Sequence, residues 1–330
     1  MSSRGRAGGS GDHAVAGASP EHNAAGRGNE QKNGKNLPRL ATRAGRRSVP
    51  VRRLGPAGLE SGDDWVTVEE PLELRVRGVA CATLMRTPGD DRSLALGFFF
   101  TEGWISSLSD VGAVALCARG REGGEENVAD MIPAEGVEVR PPSPLPRIGL
   151  AVSSCGVCGK RTIEDVLALS PFRPGAGARK LEDPRTPLVS RAAILAMPGR
   201  LRTSQRLFTA TGALHAAGVF DSSGNLQAIR EDVGRHNAVD KVAGWALAEG
   251  RLPLAGHVLF VSGRVSFEIA QKAYRAGIPV VAAVSGVSSL AVDLAERAGI
   301  TLCGFVRGDV LTVYTHPERI ADENFQWTRT

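Results

Sequence analysis

Two thiols stand three residues apart, at Cys155 and Cys158, in the stretch Ser153-Ser154-Cys155-Gly156-Val157-Cys158-Gly159-Lys160-Arg161. Glycines surround them and two cations follow. The next residues, Thr162 to Leu169, read as a short amphipathic helix with Thr162 as N-cap and acids in its first turn. A cysteine loop feeding a helix N-terminus, next to Lys160 and Arg161, favours thiolate over thiol. The thiolate is the form that attacks sulfur and binds metals. Such a pair suits three chemistries: half of a zinc site, a redox dithiol, or sulfur transfer. Structural zinc wants four ligands, and the remaining cysteines, Cys81, Cys117 and Cys303, are isolated with no histidine near. A thioredoxin-type pair follows a strand and opens a long helix, whereas this pair sits mid-chain in a glycine-flanked loop. The plain alternative is two inert, buried thiols, against which the glycines and cations weigh.

A second constellation is Arg230-Glu231-Asp232-Val233-Gly234-Arg235-His236-Asn237. It lies where a predicted strand, Leu226–Arg230, passes into a predicted helix, Ala238–Leu247. Six of its eight side chains carry charge or hydrogen-bond capacity. A solvated turn would have that composition too, but a dense polar junction between a strand and a helix is a common place for a site. A third set lies in the last part of the chain. The pattern predicts a strand at His257–Ser262, a helix ending at Gly277, and a strand at Ile278–Val284. A helix closed by Gly299 and a strand at Ile300–Val306 follow. This alternation predicts parallel strands with right-handed crossovers. Ser262-Gly263-Arg264, Ser285-Gly286 and Arg307-Gly308-Asp309 would then share the carboxyl edge, where α/β proteins hold phosphates. Ser262, Arg264 and Arg307 become candidate ligands, with Arg235 and His236 facing the same cavity. There is neither a Walker A motif nor a dinucleotide glycine fingerprint.

These residues need a scaffold, and the 330-residue chain with 42% hydrophobic content can supply one. Residues 1–55 hold eleven Lys/Arg and three Asp/Glu, a net of +8; subtracting this from the whole-chain +5 leaves −3 for the rest. Basic charge confined to a Gly/Ala/Ser/Asn/Arg-rich tail argues against a nucleic-acid footprint on the folded face. It also predicts disorder there. Arg46-Arg47 precedes no apolar segment and is not an export signal. No apolar run reaches membrane-spanning length, so no membrane association is expected. Five cysteines without disulfide-like spacing suit a reducing compartment. The expected organisation is a disordered basic tail over 1–60, a small α+β lobe over 61–150, and a larger α/β domain over 151–330 that carries the cysteine loop. Order is expected from near Asp63. Strands follow about a turn at Arg77-Gly78 and through Cys81–Arg86, then a helix at Leu94–Phe100 closed by Gly103. Arg119–Glu126 reads as a loop, and Val137–Arg140 as one more strand. Pro171–Pro187 reads as a linker, and Ser190–Met197 as a helix stopped by Pro198-Gly199. Leu214–Phe220 pairs with Leu226–Arg230 in a hairpin.

The motifs in order resemble the FdhD/NarQ family of formate dehydrogenase accessory sulfurtransferases. The resemblance is carried by Cys155–Lys160, Arg230–Lys241, Ser262-Gly263-Arg264, Glu69-Glu70-Pro71-Leu72, Met85-Arg86-Thr87-Pro88-Gly89, Thr101-Glu102-Gly103 and Gly304–Gly308. It runs from about residue 64 to about 320. The resemblance implies a larger domain similar to cytidine deaminases and a cytoplasmic homodimer. It implies a persulfide on Cys155, with Cys158 as partner, loaded by a cysteine desulfurase. The sulfur would go to a molybdenum or tungsten bis(molybdopterin guanine dinucleotide), bound as substrate by Phe305, Val306, Arg307, Gly308, Asp309 and Val310. That cofactor would be destined for the formate dehydrogenase catalytic subunit. No structural metal is expected. The alternative reading is a cofactor-binding chaperone whose cysteines carry no sulfur; a zinc-dependent hydrolase is a third. Deaminase chemistry needs His-x-Glu at a helix start and a later Pro-Cys-x-x-Cys. Here His236-Asn237-Ala238 lacks the carboxylate, and the cysteine pair comes earlier.

Overall fold

The computed structural model describes residues 42–43, 45–118, 126–139, 162–169 and 188–323. Cys155, Cys158, Lys160 and Arg161, the linker over 171–187 and most of the basic tail lie outside the described residues. The chain is mixed α/β, and every described residue belongs to one compact unit, Leu40–Thr330.

Structure begins earlier than Asp63. After a short β1 (Thr42–Arg43), β2 (Arg46–Gly55) and β3 (Gly58–Thr67) pair antiparallel along their whole length. The assignment of residues 46–60 to a disordered tail is therefore corrected. Two local signals outweigh the basic composition. Gly55-Pro56-Ala57-Gly58 is a turn sequence, and Arg46 stacks over Trp65 at 4.6 Å across the ladder. The base is fixed by Val68 N–H donating to the Gly45 carbonyl and by Thr67 Oγ1 meeting Thr211 Oγ1.

A four-stranded sheet follows, in the order β5-β4-β7-β6, from β4 (Glu70–Val76), β5 (Val79–Arg86), β6 (Val111–Ala118) and β7 (Glu126–Pro133). Between β5 and β6 runs α1 (Asp91–Thr101). The sequence pattern hides β6 and β7, because VGAVALCA has no clean alternation. Val137–Val139, read as a strand, has no regular structure, and Arg140 lies outside the described residues. Leu72, Leu74, Leu84, Met131 and the phenylalanines of α1 make the core of this region.

The second sheet has the order β10-β9-β11-β12-β13-β14. Ahead of it come α2 (Ile163–Ala168), β8 (Val189–Ser190), α3 (Arg191–Ser204) and α4 (Arg206–Thr211). Thr162 caps α2 in a capping box with Asp165, as its position predicts. In contrast, α3 runs through Pro198 rather than stopping there. Ile194, Met197 and Leu201 form one buried stripe across the proline, and that burial outweighs one lost backbone bond. The sheet itself comprises β9 (His215–Asp221), β10 (Leu226–Asp232), β11 (His257–Val261), β12 (Val280–Ala283), β13 (Thr301–Arg307) and β14 (Val310–Thr315). Its helices are α5 (Arg235–Ala248), α6 (Phe267–Arg275) and α7 (Ser289–Ala298). β11, β12 and β13 are parallel, while β9, β10 and β14 add antiparallel flanks. Period-two alternation splits each central strand. Leu259, Val261, Val281, Ala283 and Leu302 face α5, α6 and α7; Val258, Phe260, Val280, Ala282 and Cys303 face α3. This gives three layers. A last short strand, β15 (Ile320–Ala321), pairs with β8.

The two sheets meet through α1 against α5, which cross at a glycine pair. A Cβ on Gly97 would fall 1.8 Å from the Asp240 carbonyl oxygen, and one on Gly244 would fall 1.8 Å from that of Ser93. Only glycine permits this approach. A buried cluster seals it: Asp240 accepts from Thr101 Oγ1 at 2.7 Å and pairs with Lys272 at 2.9 Å, which also reaches Glu102 at 3.0 Å. Burial raises the Asp240 carboxyl to about 6, against the pull of Lys272. No described helix is long and apolar enough to cross a membrane.

Candidate functional site at the carboxyl edge of the parallel strands

The parallel register places Val261 beside Ala283 and Ala282 beside Cys303, so the three strand ends share one edge. Beyond them the loops stay laced together. Val265 N–H donates to the Gly286 carbonyl, Ser288 N–H to that of Val265, and Phe305 N–H to that of Ser285.

On one side of this edge are Arg235 and His236, the first residues of α5, next to the β11–α6 loop. Arg235 is half-buried, and its enclosed Nε has no hydrogen-bond partner among the described residues. His236 is buried; its Nε2 lies 3.1 Å from Ser266 Oγ and 3.7 Å from Glu268 Oε2. Neither Gly234 before α5 nor Ser266 before α6 caps its helix with a side chain. Ser262 turns inward: its backbone N–H donates to the Ala216 carbonyl, and its Oγ accepts from Ala216 N–H at 2.9 Å. Arg264 is exposed.

On the other side, β13 runs past its neighbours into a turn to β14. Phe305 sits in the left-handed region at φ 52, a strained setting for an aromatic residue. Its ring packs over Gly286, where a Cβ would come within 2.9 Å. Arg307 stands 5.6 Å over the ring. Gly308 takes φ 58, the Asp309 carbonyl accepts from Arg191, and Val310 is exposed. The Val306 side chain is wholly buried in the core on the α3 side, so it offers the edge only its backbone. Two strand spacings, about 10 Å, separate this turn from the Arg235 side.

Much of the polar junction after β10 is internal. Asp232 is completely buried, accepts from Gly234 N–H, Asn237 Nδ2 and Thr87 N–H, and pairs with Lys241 at 2.8 Å. Lys241 also donates to the Thr87 carbonyl, and Asn237 to that of Met85. Glu231 caps α4 through Leu207 N–H and Phe208 N–H. Arg230 pairs with Asp90. Of the six polar residues, Arg235 and His236 thus face the edge while the other four fasten it. The sequence marks the junction, and Thr87 and Lys241 stand in the quoted motifs, but only tertiary contact shows that they meet Asp232 there.

The cysteine loop lies outside the described residues, but the helix after it is held firmly. The Leu169 carbonyl accepts from Arg275 and the Leu167 carbonyl from Tyr274 Oη, while Glu164 pairs with Arg297 at 2.6 Å. Among the other thiols, burial raises both Cys81 and Cys303 to about 12, so they stay protonated.

Residues 67–321 match the model of the FdhD/NarQ family. A sulfur carrier protein FdhD from Mycolicibacterium paratuberculosis is 51% identical over 259 residues, 78% of this chain and 92% of the relative. One of the same name from Mycobacterium tuberculosis is 48% identical over 276 residues, 82% of this chain and 96% of the relative. A crystal structure described as a formate dehydrogenase accessory protein from Desulfotalea psychrophila superposes with a TM-score of 0.62. It is 25% identical, covering 84% of this chain and 99% of the other.

Proposed function

The chain belongs to the FdhD/NarQ family, and from that premise we propose that it is a sulfur carrier for the maturation of a formate dehydrogenase. Cys155 takes a sulfane sulfur from a cysteine desulfurase: its thiolate attacks the terminal sulfur of the donor persulfide, and the donor cysteine leaves as thiolate. Cys158 is its partner in the loop. The outer sulfur of the Cys155 persulfide then passes to the metal centre of a molybdenum or tungsten bis(molybdopterin guanine dinucleotide), held as substrate at the carboxyl edge: the S–S bond breaks, Cys155 leaves as thiolate, and the reduced metal supplies the two electrons that take the sulfur to sulfide. Phosphates of the guanine dinucleotide arms would lie against Arg235, the uncapped starts of α5 and α6, Arg264 and Arg307. Phe305 presents an aromatic face to a base.

The observation that carries this reading is the carboxyl edge itself. It has aligned ends of β11, β12 and β13, an enclosed Arg235 Nε without a partner among the described residues, and a strained aromatic residue held at the rim. Buried polar atoms are nearly always satisfied, so such a nitrogen suits an anion. Cys81 and Cys303 stay protonated, and the exposed Cys117 has no second thiol near it in the chain, so the Cys155–Cys158 pair is the better candidate for thiolate chemistry. Replacement of Cys155 by Ala should abolish activity of the client dehydrogenase in cells while the protein still folds. Normal client activity with Cys155→Ala would leave the chaperone reading in its place.

A further inference from the structure

His215 opens β9 and has no part in the site described above. In the β9–β10 ladder it pairs with Asp232. An ideal Cβ on Gly263 would lie 3.2 Å from His215 Nδ1 and 3.5 Å from Arg235 Cδ. The imidazole and the arginine stem therefore close on the same glycine from two elements, and the ring belongs to the carboxyl edge. Burial holds His215 below the ordinary histidine value, the positive charge of Arg235 lowers it further, and Asp232 opposes. The charged groups that act on it are Arg235 from α5 and Asp232 from β10, while the β11–α6 loop faces it with the Gly263 backbone. Asp232 is already offset by Lys241 at 2.8 Å. His236, the other imidazole at this edge, is directed to Ser266 and Glu268. The field at His215 is thus set by Arg235.

We propose that His215 is a further member of the anion site, taking up a proton when a phosphate settles beside Arg235, so that nucleotide binding and protonation are coupled. The proposal rests on the reading of this edge as the nucleotide site. A phosphate reverses the local field: it neutralises Arg235 and adds negative charge, and the imidazolium then gives a charge-assisted contact that neutral imidazole cannot. The proton comes from solvent, and no covalent step is involved. By linkage, affinity for the anion falls as pH rises through the window between the free and bound values of the histidine.

The test is calorimetric titration of the full chain with GDP, in pairs of buffers of differing ionisation enthalpy, for wild type and His215→Asn. Ionisation of GDP itself is common to both proteins, so the difference belongs to His215. Wild type should take up more protons per GDP than the variant. Its affinity advantage should shrink with rising pH by up to about tenfold per unit. If the variant folds poorly, the imidazole C–H resonance of wild-type His215 serves instead, and its midpoint should move up when GDP is added. Equal proton uptake in both proteins, or an unmoved midpoint with GDP bound, overturns the role of His215 alone. Absence of GDP binding at every pH overturns the nucleotide site and this role together.

Discussion

The junction at Asp232–Lys241 and the turn at Phe305–Val310 are both rich in polar groups, but they use them in opposite ways. At the junction, a fully buried carboxylate collects three hydrogen bonds and a lysine, and the charges close on one another. At the turn, Arg307 and Asp309 are exposed, and a left-handed Phe305 is held at the rim. One region converts charge into rigidity and binds the first sheet, through Met85 and Thr87, to the second. The other leaves its groups open to a ligand. Burial, not polarity, separates fastening residues from presenting ones.

That contrast can be broken in order of size. Lys241→Met should be the most damaging change, since it leaves Asp232 buried without its cation. A loss of about 3–5 kcal/mol in chemical denaturation is expected for a broken buried pair. A loss under about 1 kcal/mol, the scale of an exposed pair, would show that the junction is solvated. Arg307→Ala should leave the unfolding midpoint unchanged but weaken GDP binding by roughly ten- to a hundredfold, for one lost charge-assisted contact of about 1.5–3 kcal/mol. Equal affinities would move the site off this turn. Gly286→Ala should force the Phe305 ring aside and weaken GDP by the smaller value of an aromatic contact, about 0.5–1.5 kcal/mol. Unchanged affinity there would remove Phe305 from the base-binding role. The smallest effect is an expected absence of reaction. Burial raises Cys81 and Cys303 to about 12, so alkylation should spare both through about pH 9 and increase only as pH approaches those values. Peptide mapping that finds either thiol modified as fast as Cys155 would contradict this.

The parallel strands β11, β12 and β13 and their helices were readable because apolar runs of strand length alternate with Gly-closed helices. The observed ends fall within two residues of the expected ones for most of these elements. The junction after β10 was readable as important but not as mostly internal, because Thr87 lies 145 positions away from the Asp232 it touches. The β2–β3 ribbon was masked by arginines that its exposed position tolerates. β14 was masked by the turn before it, which reads equally well as the end of the last strand. α3 passed Pro198 because tertiary burial outweighs a local stop signal. His215 carries no motif; only the closure of the ladder onto Gly263 marks it.

The central claim is that Cys155 carries sulfur. Intact mass after incubation with a cysteine desulfurase and cysteine tests it most directly. Wild type should gain the mass of added sulfur, released by reductant, and Cys155→Ala should gain none. An unmodified wild type, or a Cys155→Ala protein that loads as fully, would contradict the account.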